Sequence, residues 1–176
     1  LLAEPEIDLA FFRAYLAADH DQIAIAAPAP QAAPARAIAL DISTDGGQSA
    51  FAPGSTLTLT VQPARDAHVY CYIQDDTKRV QRFFPNRFAQ DSYVAAARPL
   101  RLPGTDQFQL YASERGERET VACFATEREV SSRLVPDSYG VDFEYLPVGS
   151  LDEVRDQFVI ATEGQVGERF FHIEPK

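Results

Sequence analysis

From residue 37 onward, hydrophobic and polar residues alternate with a period of two over much of the chain. Residues 56–61 are typical, because leucine or valine falls at every second position with threonine between them. Successive side chains of a β-strand point to opposite faces of a sheet, so this pattern predicts strands with one buried and one exposed face. Further strands are predicted at 38–42, 69–74, 80–84, 93–102 with an interruption at Pro99, 107–112 and 119–126.

Turn sequences separate these runs and indicate the fold class. Each of five turn sequences lies between two apolar segments: Asp45-Gly46-Gly47, Pro53-Gly54, the polar run 75–78, Pro85-Asn86 and the run 114–116. About seven short strands at this spacing favour an all-β fold, an antiparallel immunoglobulin-like β-sandwich. Near the C-terminus, Ser150 and Glu153 form a capping box for a helix to about residue 161, and 169–174 is predicted as a final strand.

The N-terminal third has a different pattern. Apolar residues recur at helical spacing within 1–24, after Pro5 in a first turn, which predicts an amphipathic helix. Three prolines among alanines then make 25–36 a semi-extended linker. We therefore expect a helix at 1–24, a linker at 25–36 and the sandwich at 37–176. The helix either packs on its own domain or docks on another protein.

Composition and charge exclude several classes of partner. The 176 residues carry a formal charge of −10, which argues against nucleic-acid binding and against docking on an anionic membrane. No apolar run approaches the roughly 18 residues of a transmembrane helix. Basic residues concentrate in 78–101 and acidic ones in 137–168, so either these segments face each other or the first is a patch for an acidic partner. The chain has no Met, so we expect that its N-terminus was removed, as happens with a signal peptide.

Two cysteines, Cys71 and Cys123, each lie in the middle of a predicted strand. On neighbouring strands they come within bridging distance, and we favour a disulfide, which agrees with export; the alternative is two buried free thiols. The sequence contains no zinc signature, because it has only two cysteines and its histidines, His20, His68 and His172, are isolated. We therefore predict no metal site and no cofactor.

No arrangement of residues predicts catalysis. The chain has no GxSxG elbow and no phosphate-binding loop, and Asp75-Asp76 or Asp142 with Glu144 are weak evidence for hydrolysis in so acidic a sequence. The aromatic residues can instead form a binding surface. Tyr70 and Tyr72 share one strand face, and with Arg82 and Arg87 they have the composition of an interface; the other interpretation is that the aromatics fill the core.

An ordered set of motifs resembles a known family. Four motifs are similar to domain of unknown function 4384: VYCYIQDD at 69–76, VQRFFPNRF at 80–88, LRLPG at 100–104 and FQLYASERGERETVACFATERE at 108–129. A fifth stretch, DFEYLPVGSLDEVRDQF at 142–158, resembles the long members of that family. The resemblance implies a β-sandwich module of bacterial envelope and exported proteins. It implies no catalytic residues.

These observations predict a non-catalytic binding or assembly module of the bacterial cell envelope, an accessory to a secretion, fibre or adhesion system. It is expected to be exported, to the periplasm or the cell surface, and to bind another envelope protein. A carbohydrate- or peptidoglycan-binding sandwich is the first alternative, and a weak hydrolase is the second.

Overall fold

The computed structural model describes residues 37–104 and 108–176, and its fold is mainly β. The predicted N-terminal helix and linker, at 1–24 and 25–36, lie outside these residues. The strands are β1 (Leu40–Thr44), β2 (Ala50–Phe51), β3 (Thr56–Leu57), β4 (Leu59–Pro63), β5 (Ala67–Gln74), β6 (Val80–Phe84), β7 (Tyr93–Val94), β8 (Leu100–Leu102), β9 (Leu110–Tyr111), β10 (Glu119–Thr126) and β11 (Gly167–Pro175). Two α-helices follow β10, namely α1 (Pro136–Tyr139) and α2 (Leu151–Ala161).

The strands form two main sheets. A six-stranded sheet has the order β2-β11-β10-β5-β6, with β7 beside the start of β5, and a three-stranded sheet has the order β1-β4-β8. A third, two-stranded ladder joins β3 to β9. All pairs are antiparallel except β2 with β11.

The six-stranded sheet is buried on both faces, which explains why β5 and β10 are apolar almost throughout. One face packs against the three-stranded sheet, and this core contains Val69, Cys71, Val121 and Cys123. The other face packs against α2, and this second core contains Tyr70, Tyr72, Phe124 and Phe158. The ring of Phe158 stacks on that of Phe124 with centroids 4.6 Å apart.

Helix α2 begins where its sequence predicts. The Ser150 side chain accepts a hydrogen bond from the backbone N–H of Glu153, which satisfies one of the free donors of the first turn. Glu153 does not complete the predicted box at Ser150, because its carboxylate accepts from the N–H of Gly149 instead. Leu151, Val154 and Phe158 form the buried face of the helix.

The predicted disulfide is confirmed. Cys71 and Cys123 are bonded, and they lie directly opposite each other in the antiparallel register of β5 and β10. Both residues are fully buried in the core between the two main sheets. The alternative of two free thiols is therefore wrong.

Three strand predictions need correction. The run 56–61 is two strands, because residues 56–57 pair with β9 whereas β4 pairs with β1 and β8. Of the predicted run 93–102, interrupted at Pro99, residues 93–94 and 100–102 pair, and among the described residues 108–112 only 110–111 pair. Pairing here depends on distant partners, which a local alternation of residues does not specify.

One glycine allows two layers to meet. Gly167 begins β11 against Ile38, and a Cβ atom at position 167 would overlap the Ile38 carbonyl oxygen. Only glycine permits this backbone approach. None of the helices in 37–104 and 108–176 has the length and hydrophobicity needed to cross a bilayer.

Candidate functional site

The structure contradicts most of the predicted binding surface. Tyr70 and Tyr72 do share a strand face, but that face lies under α2 and both side chains are fully buried. Arg82 is buried as well, with 5% of its surface exposed. A partner protein has no access to these three residues, so their assignment to a recognition surface is wrong. Arg87, the fourth predicted residue, is exposed.

Arg82 connects two loops. Its guanidinium donates hydrogen bonds to the carbonyl oxygens of Tyr139 at 2.8 Å and Gly140 at 3.1 Å, and to that of Pro85. It also lies 4.1 Å from the centroid of the Tyr139 ring. A buried charge needs such compensation, and here neutral carbonyls supply it. Arg82 therefore fixes the loop after β6 relative to the loop after α1.

Residues 142–146 cover the outer edge of β6. The N–H of Phe143 donates to the Arg82 carbonyl at 2.9 Å, and the N–H of Leu146 donates to the Val80 carbonyl at 2.8 Å. Gln81 and Tyr145 form an antiparallel bridge between them. This edge of the six-stranded sheet is thus protected, and the side chain of Phe143 is held beside the loop after β6.

Asn86 organises that loop. Its side-chain amide donates to the Phe83 carbonyl at 2.7 Å, and its side-chain oxygen accepts from the N–H groups of Phe88 and Ala89 at 2.8 and 2.9 Å. Asn86 itself is buried. The preference of asparagine for such turns explains why this short loop has a defined conformation. Phe83 and Phe84 point into the core, whereas Phe88 is presented outward with 47% of its surface exposed.

Three phenylalanines from distant parts of the chain meet at this place, and we name Phe88, Phe108 and Phe143 the Phe patch. The Phe143 ring lies 6.2 Å from that of Phe88 and 5.1 Å from that of Phe108, between centroids. Phe108 and Phe143 are partly buried against the core between the sheets. The patch is therefore a packed aromatic cluster whose outer side, at Phe88, faces water.

An ion pair borders the Phe patch. Asp142 Oδ2 accepts from both the backbone N–H and the Nε of Arg87, each at 2.9 Å, and the Arg87 guanidinium lies 5.8 Å from the Phe143 ring centroid. Burial acts to raise the pKa of Asp142, but the hydrogen bonds from Arg87 outweigh it and lower that pKa. The pair therefore stays ionised and holds Arg87 at the rim of the patch.

The two interpretations of the uneven charge can now be compared. Arg87 pairs with Asp142, and Arg79 lies 3.7 Å from the centroid of the Tyr145 ring, so part of the basic segment does pack against the acidic one. Arg101 instead pairs with Asp45 in the turn after β1. The contacts of Arg87 and Arg79 thus favour the first interpretation for this part of the basic segment, whereas Arg101 has its partner elsewhere in the fold.

Three of the carboxylates that suggested hydrolysis, Asp75, Asp76 and Asp142, have structural partners. Asp75 accepts from Thr77 and from the backbone of Arg79, and Asp76 accepts from Ser113 and Arg115. His68 Nδ1 lies 2.8 Å from Ser92 Oγ, but Ser92 is buried, and no salt bridge joins His68 to a carboxylate within the described part of the chain. The described residues contain no group of three or more His, Cys, Asp or Glu placed to hold a metal ion.

The two buried tyrosines lead to a stability prediction. The Tyr72 hydroxyl is buried without a hydrogen-bond partner among the described residues, whereas the Tyr70 hydroxyl donates to Glu129 at 3.1 Å and accepts from the Val130 N–H at 3.0 Å. We expect Tyr72→Phe to raise the free energy of unfolding by about 1 kcal/mol, because it removes an unsatisfied group. Tyr70→Phe, the matched control, should lower it by about 1 to 2 kcal/mol. Urea denaturation measures both; a loss of stability in Tyr72→Phe would contradict the argument.

Comparison with known proteins confirms the family resemblance over the centre of the chain. Residues 50–129 match the family described as Domain of unknown function (DUF4384). The match includes β5, β6, the loop with Phe88, and β10, but it ends before residues 142–146. No curated protein and no solved structure matches the chain.

Proposed function

We propose that the chain is a non-catalytic binding module of the bacterial cell envelope, and that it recognises another envelope protein through the Phe patch. Its role would be that of an accessory to a secretion, fibre or adhesion system. The observation that carries the proposal is the half-exposed Phe88, fixed by Asn86 and packed on Phe143. Such preformed aromatic clusters bordered by arginine are typical of the centres of protein interfaces.

Rigidity is the second argument for this surface. The loop of Phe88 is held by the Asn86 hydrogen bonds, and residues 142–146 are held by β6 and by the Arg87 ion pair. Because this surface is already ordered, it loses little conformational entropy when a partner packs against these rings. We assign to the partner a large aliphatic or aromatic side chain that covers Phe88.

The periplasm or the cell surface is the proposed location. The disulfide supports it, because such bonds persist in oxidising compartments and are rare in the cytosol. An immunoglobulin-like sandwich is the proposed fold. Three features of the topology support it: β1 and β2 are consecutive but belong to different sheets, β2 pairs in parallel with the last strand, and a core lies between the sheets.

A position-specific cross-link tests the proposed surface. A photoreactive amino acid replaces Phe88 in cells that produce the protein, and Ile160, 70% exposed on α2 over the other face of the large sheet, is the control position. We expect one envelope protein to be captured from position 88 and not from position 160. Equal capture from both positions would contradict the proposal.

The purified partner then gives a quantitative prediction. Phe88→Ala should weaken its binding about tenfold or more, since truncation of a central aromatic residue of an interface commonly costs over 1 kcal/mol. Ile160→Ala should leave the dissociation constant unchanged. Calorimetry measures both, and circular dichroism verifies that both variants are folded. Unchanged affinity in Phe88→Ala would show that the partner binds elsewhere.

Carbohydrate binding remains a second candidate, although Tyr70 and Tyr72, which first suggested it, are buried. The observation that favours it is an open groove of about 420 Å³, which Phe108 lines together with the polar side chains of Thr56, Thr58 and Gln109. An aromatic face beside hydrogen-bonding groups is a suitable platform for a sugar ring. Binding to peptidoglycan or to arrayed glycans that Phe108→Ala abolishes would support this candidate over a protein partner.

A further inference from the structure

Among the described residues, strand β11 has a long edge without a partner strand. Residues 167–173 pair with β10 on one side. On the other side, of the residues that the structure describes, only Glu174 and Pro175 pair, with the two residues of β2. Within the described parts of the chain, residues 168–172 therefore have no strand partner on this side, in contrast to the opposite edge of the sheet at β6.

The direction of the backbone groups follows from one hydrogen bond. The N–H of Glu174 donates to the Ser49 carbonyl at 2.7 Å, so it points away from β10. Backbone groups alternate in direction along an antiparallel strand. Glu168, Phe170 and His172 therefore direct their N–H and C=O groups outward, where they are available to another strand.

The sequence of this edge has only part of the usual protection against strand addition. Residues 168–174 include the charged Glu168, Arg169 and Glu174 but no lysine, proline or glycine, and Pro175 comes at the end of the strand. Arg169 lies 3.8 Å from Asp41 of β1, but β1 pairs with β4 in the other sheet and not with β11. An outer edge of this kind is a template for β-augmentation.

We infer that this edge pairs with β11 of a second copy of the chain, antiparallel across a two-fold axis, so that the two large sheets become continuous. Only registers that oppose outward-directed residues form hydrogen bonds. A register centred on residue 169 opposes two copies of Arg169, and one centred on residue 171 opposes Glu168 to Glu174. Both place like charges directly opposite each other, which is destabilising.

The register centred on Phe170 has no such conflict. Glu168 of each copy lies opposite His172 of the other, and the imidazole is a hydrogen-bond donor to the carboxylate. Phe170 lies opposite Phe170, and Arg169 lies opposite Phe171. Aromatic pairs and arginine–aromatic pairs across strands are favourable. This self-complementarity is what a two-fold interface requires, and it identifies the second copy as the occupant.

Side-chain positions agree with this register. Glu168, Arg169 and His172 are exposed, and Phe170 and Phe171 are partly exposed. His172 Nδ1 is 3.1 Å from Thr120 Oγ1 on the neighbouring strand, which leaves Nε2 for the second copy. The interface is small, with about six main-chain hydrogen bonds, so the dimer is expected to be reversible and of micromolar affinity.

Analytical ultracentrifugation of the full chain tests the inference. The wild-type protein should show a reversible monomer–dimer equilibrium. His172→Glu places Glu168 opposite a second carboxylate and should weaken the dimer at least tenfold. The double variant Glu168→Lys/His172→Glu restores opposite charges at the same pair and should recover most of the affinity. Thermal unfolding of each variant verifies that β11 remains folded.

Each result decides the question. A wild-type chain that stays monomeric at hundreds of micromolar would overturn the inference, since the edge would then be closed or used by another occupant. A dimer that His172→Glu does not weaken, or that the double variant does not rescue, would also overturn it. Phe88→Ala should leave the dimer intact, so failure of this inference and failure of the Phe patch as a binding surface are separate outcomes.

Discussion

Replacing Cys71 and Cys123 together with alanine should lower the free energy of unfolding by about 4 kcal/mol. The two residues are 52 apart in the sequence, and the bond between them restricts the unfolded chain by the entropy of closing a loop of that length. The loss is large compared with the roughly 5 to 15 kcal/mol by which a domain of this size is stable. Urea denaturation followed by circular dichroism measures it.

The single variants are the control for the role of the bond itself. Cys71→Ala or Cys123→Ala alone already breaks the cross-link, so each should cost nearly as much as the double variant. Additive single effects would instead indicate that packing of the two buried side chains, and not the covalent bond, provides the stability. Reduction of the wild-type protein in denaturant should lower its midpoint to that of the double variant.

The strands with apolar runs bounded by turn residues were predictable from the sequence. β6 and β10 have the predicted limits, because the apolar runs are bounded by strong turn residues such as Pro85. Helix α2 was also predictable, since Ser150 begins it. The two-residue strands β2, β3, β7 and β9 were not, because each has few residues and depends on a partner far away in the sequence.

The candidate site was predicted less well than the fold. Alternation in β5 correctly separates Tyr70 and Tyr72 from Cys71, but it does not tell which face is open to water. Helix α2 covers the tyrosine face, and no local pattern in β5 reveals this. A signal for the burial of both faces was present in the apolar character of the whole strand.

The Phe patch shows why long-range contacts limit such predictions. The sequence indicates that Phe88 follows a turn, but Phe108 and Phe143 lie about 20 and 55 residues further along the chain, and only the folded structure brings them to Phe88. Phe88 and Phe108 lie within the family match, whereas Phe143 lies beyond it. If the patch is the binding surface, family members that lack residues 142–146 should lack part of it, and they are expected to bind differently.

Glu119→Gln is expected to stabilise the protein by about 2 to 3 kcal/mol more at pH 8 than at pH 5. Glu119 is 7% exposed, and one of its carboxyl oxygens has no partner among the described residues. Burial is the main cause that raises the pKa of Glu119 from the usual 4.5 to about 7. A hydrogen bond from the Ser113 backbone lowers the pKa, and the negative charges of Asp76 and Asp75 raise it further. The folded state therefore prefers the protonated side chain.

The sign of the effect follows from the difference in bound protons. Between pH 4.5 and 7 the folded protein holds the Glu119 proton and the unfolded chain releases it, so stability falls as the pH rises through this range. Glutamine resembles the protonated form of glutamate and does not titrate, so the variant does not lose stability at this position as the pH rises. The pKa of Asp76 is lowered by hydrogen bonds from Ser113 and Arg115, so its effect occurs at more acidic pH, where stability falls as the pH decreases. Denaturation curves of both proteins at several pH values give the difference, from which titrations common to both proteins cancel. A difference that does not change with pH would show that Glu119 is ionised in the folded protein throughout the range.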